Sequence, residues 1–262
     1  MAISEMLRNI ETKACACPSH AGEPMEGQRR ELSERVSRRR FLRTTLAGTV
    51  VGGLVELGTG FAAPRAALAQ STLTPDAALK ELMDGNQRYA EGRGTAHEHD
   101  LELLHEKAAE GQEPFAAVLS CADARVPIEL LFDQTIGHIF VCRVAGNVTS
   151  PEVTASLEYG AAILGAKVIM VLAHGSCGAV SATIRGYAVP GQISVLYSRI
   201  RPAVDEAGTD VDAVAKANAR FHARILREAS PVIAGLAKEN KLKVVAGFYD
   251  IASGSVALLN ER

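Results

Sequence analysis

The stretch Phe115–Val144, FAAVLSCADARVPIELLFDQTIGHIFVCRV, decides the fold. It opens on a short apolar run, FAAVLSC, passes through a short helical VPIELLFD and closes on a second apolar run, HIFVCRV. Downstream, SPEVTASLEYGAAILG predicts a helix with Ser150 as N-cap, Pro151 at its first position and Gly165 at its end. A third run, KVIMVLAH, leads into a helical CGAVSATIRG, and two or three more helical stretches fill Ser194 to Asn240. KVVAGFYD and SVALL form a last strand pair around Ser253-Gly254. Upstream, TPDAALKELMDGNQRYAEG predicts a helix with Thr74 as N-cap, Pro75 at its first position and Asp76 in its first turn. Strands that are apolar on both faces and alternate with helices imply a mostly parallel sheet covered by helices. The expected fold is therefore α/β: one domain, about four parallel strands plus a C-terminal edge strand, flanked by helices. No internal repeat or linker marks a second domain.

Composition narrows the function. The 262 residues are 47% hydrophobic, enough for a sizeable core. A net charge of -2 gives no basic field, and the absence of Trp with only 5% aromatics removes base-stacking platforms, so nucleic acid is not expected as a partner. The segment TAHEHDLELLHEKAAEGQEP is polar and partly helical, and its His97, His99 and His105 have no metal-site spacing.

The front of the chain reads as an export signal. SRRRFLR, Ser37 to Arg43, precedes a moderately apolar TTLAGTVVGGLVELGTGFAAP and then AALA before Gln70. Paired arginines before x-Phe-Leu resemble the twin-arginine signal that carries folded proteins across the bacterial inner membrane. Glycines, threonines and Glu56 keep the segment too weakly hydrophobic to predict a spanning helix. The expected organisation is an extension over 1–36, with Met25 as a possible start, a signal over 37–69 cleaved near Ala69, and a single domain over 70–262. Cys15 and Cys17 precede the signal and are expected to be discarded. An uncleaved anchor and a surface helix are the competing readings. Removing 1–69 takes ten basic and seven acidic residues, leaving 18 against 23 and a net charge of about -5. The product is expected in the periplasm, with no stable membrane insertion and with the twin-arginine machinery as export partner.

In open parallel sheets, ligands bind beyond the carboxyl ends of the strands. Cys121 ends the first run and His174 the third, with Cys177 three residues on in HGSC. His174-x-x-Cys177 presents two side chains from one turn, and Cys121 completes a two-Cys, one-His set suited to zinc. Three protein ligands with one open position is the catalytic pattern. A small core Cys is the bland reading of each piece taken alone.

CADAR, RVAGN and HGSCGAV in this order resemble the beta-class carbonic anhydrases, from GNQRY at Gly85 to GFYDIASGSV near the C-terminus. The resemblance implies zinc held by Cys121, His174 and Cys177, a catalytic Asp123–Arg125 dyad, and reversible hydration of CO2 to bicarbonate. It also implies substrate contacts from Gln112, Phe140, Ala145, Tyr159 and the Gly178 amide, although Phe140 and Tyr159 also sit where a core would want them. A homodimer or larger homo-oligomer is implied too.

Physics supports the dyad. Two thiolates make zinc a weaker Lewis acid, so a carboxylate near Cys121 is useful for orienting the water that the metal activates. Asp123 could instead close the site by binding the metal itself, and a bidentate Arg125 would hold it off. A surface ion pair is the bland alternative. Val118 stands where relatives that close their own site carry Trp, so an open site is expected. His138 reads as a surface residue rather than a proton shuttle. Hydrolysis of carbon disulfide or carbonyl sulfide on the same fold, and non-catalytic zinc binding, remain alternatives. Redox chemistry lacks a Cys-x-x-Cys after residue 69.

Overall fold

The computed structural model describes residues 70–96, 100–107 and 111–260. The expected export signal, Met25, Cys15, Cys17, His97 and His99 lie outside them. Helix α1 spans Pro75–Ala90, with Thr74 accepting from the Ala77 N–H as its N-cap. Helix α2 spans Asp100–Lys107. There follow β1 (Ala116–Ser120), α3 (Ile128–Leu131), β2 (Ile139–Arg143), a 3₁₀ turn (Ala145–Asn147) and α4 (Pro151–Ala162). The chain continues through β3 (Val168–His174), α5 (Gly178–Arg185), a second 3₁₀ turn (Gly191–Ile193), α6 (Ser194–Ala207), α7 (Val211–Ala229) and α8 (Pro231–Lys238). It closes with β4 (Lys243–Tyr249) and β5 (Val256–Leu259).

The sheet order is β2-β1-β3-β4-β5, with the first four parallel and β5 antiparallel to β4. The expected architecture holds, including the C-terminal edge strand. Central β1 and β3 are buried throughout, as their unbroken apolar sequences require. Edge strand β2 is only partly covered.

Strand parity sorts the core into two layers. Ala117, Leu119 and Cys121 face one cluster with Val214, Ala219 and Leu226 of α7. Ala116 and Val118 face the other, with Leu82 of α1 and Leu131 and Phe132 at α3. Cys121 therefore continues the face that looks at α7. Burying each large apolar side chain contributes about 1.5–3 kcal/mol.

The GNQRY stretch locks α1 down. A Cβ at Gly85 would stand 1.9 Å from the Phe132 carbonyl oxygen, so only glycine allows this approach. Asn86 donates to the carbonyls of Leu131 and Gly254 and accepts from the Val256 N–H, joining α1, α3 and the β4–β5 connection. Among the described residues, no helix is long and apolar enough to cross a membrane.

Candidate metal centre

Cys121 follows β1, His174 ends β3 and Cys177 caps α5, so adjacent parallel strands deliver all three to one end of the sheet. Their donor atoms lie within 4.8 Å of one another, and all three residues are buried. His174 Nδ1 is 2.9 Å from the Gly175 carbonyl, which makes Nδ1 the protonated nitrogen. Nε2 is left buried and without a hydrogen-bond partner, its lone pair free for a ligand. The Gly146 N–H donates to Cys121 Sγ at 3.3 Å. The Cys177 thiol beside it draws the Cys121 thiol down, and Cys121 in turn pushes the Cys177 thiol up. A dication would favour the thiolate form of both. The orphaned imidazole nitrogen and the paired thiols fit zinc.

Asp123 lies beside this cluster. Arg125 grips it in a fork, Nε to Oδ1 at 3.0 Å and an Nη to Oδ2 at 2.8 Å, and the Arg125 N–H also donates to Oδ1. The Arg125 guanidinium holds the Asp123 carboxyl well below the usual carboxylate range. Oδ2 stands 3.9 Å from His174 Nε2, which puts the carboxylate at the edge of the ligand cluster.

The family model described as carbonic anhydrase matches residues 116–256. Carbonic anhydrase 2 of Mycobacterium tuberculosis is 34% identical over 194 residues, covering 70% of this chain and 92% of that one. The carbonic anhydrase of Mycolicibacterium smegmatis is 38% identical over 136 residues, 50% of this chain and 65% of that one. The chain belongs to the carbonic anhydrase family. Among its solved likenesses, a Coccomyxa beta-carbonic anhydrase in complex with acetazolamide is 26% identical, with a TM-score of 0.54 over 69% of this chain and 86% of that one. One of two tetrameric beta-carbonic anhydrases from Sordaria macrospora is 24% identical, with a TM-score of 0.56 over 70% of this chain and 96% of that one.

Enzymes of the beta class use zinc, and Cys121, His174 and Cys177 are the residues of this carbonic anhydrase that would hold it. Gly178 is exposed at the first position of α5, with open space where a side chain would be. Ala145 opens the 3₁₀ turn whose next residue contacts Cys121. Within one chain, the other expected pocket residues stand apart from the three ligands. Phe140 pairs with Ala117, four residues short of Cys121, or roughly 13 Å along the strand. It packs toward Gly160 of α4, with the half-exposed Tyr159 ring 6.3 Å away. Gln112 is exposed ahead of β1. His138 precedes β2, at the opposite end of the parallel strands from the ligands, and pairs with Thr135.

Three supporting residues have no counterpart in the sequence reading. Arg143 donates to the carbonyls of Cys121 and Asp123, at 3.2 and 2.5 Å, and fixes the loop between ligand and dyad. Asp212 of α7 accepts from the Ser176 N–H at 3.0 Å and steadies the HGSC turn, where Ser176 adopts φ +55°. Asn218 of α7 donates to the Gly146 carbonyl at 2.8 Å. Arg143 lay in the RVAGN motif and could have been singled out, whereas no local pattern marks Asp212 or Asn218.

Proposed function

We propose that this beta-class carbonic anhydrase hydrates CO2 reversibly to bicarbonate and a proton, with Asp123 and Arg125 as its catalytic dyad. The fork of Arg125 on Asp123 beside three convergent ligands carries the reading. Zinc, when bound, supplies the Lewis acidity that makes water a nucleophile near neutral pH. Asp123 accepts a hydrogen bond from the reacting water and aims it at the substrate carbon. Arg125 keeps both carboxylate oxygens ionised and occupied, so that Asp123 orients water rather than filling the open ligand position. The Gly178 N–H, at the start of α5, offers a donor to a substrate oxygen. A non-catalytic zinc protein would leave this dyad without a role, and no observation favours carbon disulfide or carbonyl sulfide as substrate.

Stopped-flow CO2 hydration with metal analysis tests the reading, comparing the chain with Asp123→Ala. The variant should keep its zinc and lose about a hundredfold or more in rate. A zinc-loaded native chain that does not hydrate CO2 would sink the proposal.

The reading extends to an enzyme exported in folded, zinc-loaded form, through a twin-arginine signal over 37–69, as a 70–262 domain in the periplasm. Arg38 and Arg39, the weakly hydrophobic stretch and Ala67-Leu68-Ala69 support it. Loading in a reducing compartment protects the thiolates. Replacing Arg38 and Arg39 together with Lys should abolish export, and continued export would remove the basis for this route. A homo-oligomer is the proposed assembly, with a second copy covering the exposed Tyr159 and Ile163 face beside edge strand β2. Phe140 and Tyr159 would then serve a pocket across that boundary. A monomer in sedimentation at micromolar concentration would contradict it.

A further inference from the structure

Helix α7 passes behind the ligand cluster, and half of its buried residues are alanine, with two polar ones, Asn218 and His222. Asn218 is fully buried. Its Nδ2 donates to the Gly146 carbonyl at 2.8 Å, and the Gly146 N–H donates to Cys121 Sγ at 3.3 Å. Gly146 is thus held between an amide behind and a sulfur in front. Its φ of +74° is left-handed, and a Cβ there would stand 2.7 Å from Ile200 Cδ1. The loop has little room to settle in another way.

Asn218 Oδ1 is buried with no partner. A side chain kept for stability alone would do better as an apolar residue of the same size, because an unpaired buried oxygen costs free energy. The amide orientation is fixed by its acceptor, since Oδ1 facing the Gly146 carbonyl would place two acceptors together. Its purpose therefore lies at Gly146.

We propose that Asn218 is a positioning residue for the metal centre: it holds the Gly146 peptide so that its N–H points at Cys121 Sγ. That N–H···S bond fixes where the sulfur stands and how much of its charge is available to a metal. The inference rests on reading Cys121, His174 and Cys177 as the metal centre.

Asn218→Leu keeps the branched shape and the number of heavy atoms and removes the donor. Two readouts separate positioning from packing in the full chain: the cobalt–thiolate charge-transfer band of the cobalt-substituted protein, and the rate of zinc loss to a chelator. In the variant the band should shift and zinc should leave about tenfold faster or more. Leu226→Ala, at a buried position on the same helix that does not touch Gly146, should lower stability while leaving both readouts at their native values. If Asn218→Leu does not fold, Asn218→Ser takes the same two measurements. A native band and native zinc release in the Asn218 variant would overturn the inference alone, as would an equal change in Leu226→Ala. A native chain with no cobalt–thiolate band would overturn the metal-centre reading with it.

Discussion

Asp123 and Arg125 organise each other across two residues through a side-chain fork and a backbone N–H, all within CADAR. The turn His174–Cys177 is held from afar, with Ser176 in a left-handed conformation and its N–H on Asp212, 36 residues later. The first device travels with its own short sequence. The second exists only because α7 packs across the sheet, so changes on α7 should reach the metal while sparing the dyad.

The largest effect belongs to the ligands that both segments share. His174→Ala should lose zinc and lower CO2 hydration by more than about a thousandfold, measured by metal analysis and stopped flow. Retained zinc would mean that the two thiols suffice.

Arg125→Ala breaks the locally organised segment and should cost about tenfold to a hundredfold in rate with zinc retained. It also carries a pH signature. In the native protein the depressed carboxyl stays ionised as pH falls through the ordinary carboxylate range. Without Arg125, its value returns toward about 4, and activity should drop as pH falls through that value. A pH–rate profile of the variant against the native chain reads the difference.

Asp212→Ala breaks the remotely held turn. Zinc affinity should weaken by about tenfold, read by chelator competition, with Asp212→Asn recovering most of it because an acceptor oxygen remains. Unchanged affinity would show that the HGSC turn holds itself and that the contrast with CADAR is illusory.

The smallest effect tests α7 away from the ligands. Burial, then the Arg199 charge, lowers the His222 ring to about 4, while its Nδ1 accepts from Thr149. The unfolded ring binds its proton near 6.5, so between about 6.5 and 4 the unfolded state holds more protons and stability falls as pH falls. The loss is about 2 kcal/mol at pH 5 and nil above pH 7. His222→Gln should flatten that part of the urea-denaturation profile, and an unaltered slope would assign the acid sensitivity to other groups.

The order of strands and helices and the N-caps at Thr74 and Ser150 were legible from neighbours along the chain, and the parallel sheet from strands apolar on both faces. So were the convergence of Cys121, His174 and Cys177 and the Asp123–Arg125 pairing, since residues at strand ends in an open parallel sheet share one end whatever the details of packing. Where one chain sets Phe140 and Tyr159 relative to the ligands was less legible. Phe140 and Tyr159 pack together on the β2 edge rather than beside Cys121, which follows from strand register and from which strand lies outermost.

By itself, the sequence determined the fold class, the ligand set and the Asp123–Arg125 pair, through periodicity, strand ends and two-residue spacing. Tertiary structure alone decided what stands behind the metal centre: Arg143 on the loop carbonyls, Asp212 on the turn and Asn218 on Gly146. The reason is physical. Hydrogen bonds between groups up to 72 residues apart are set by how helices cross a sheet, and no short-range pattern encodes that crossing.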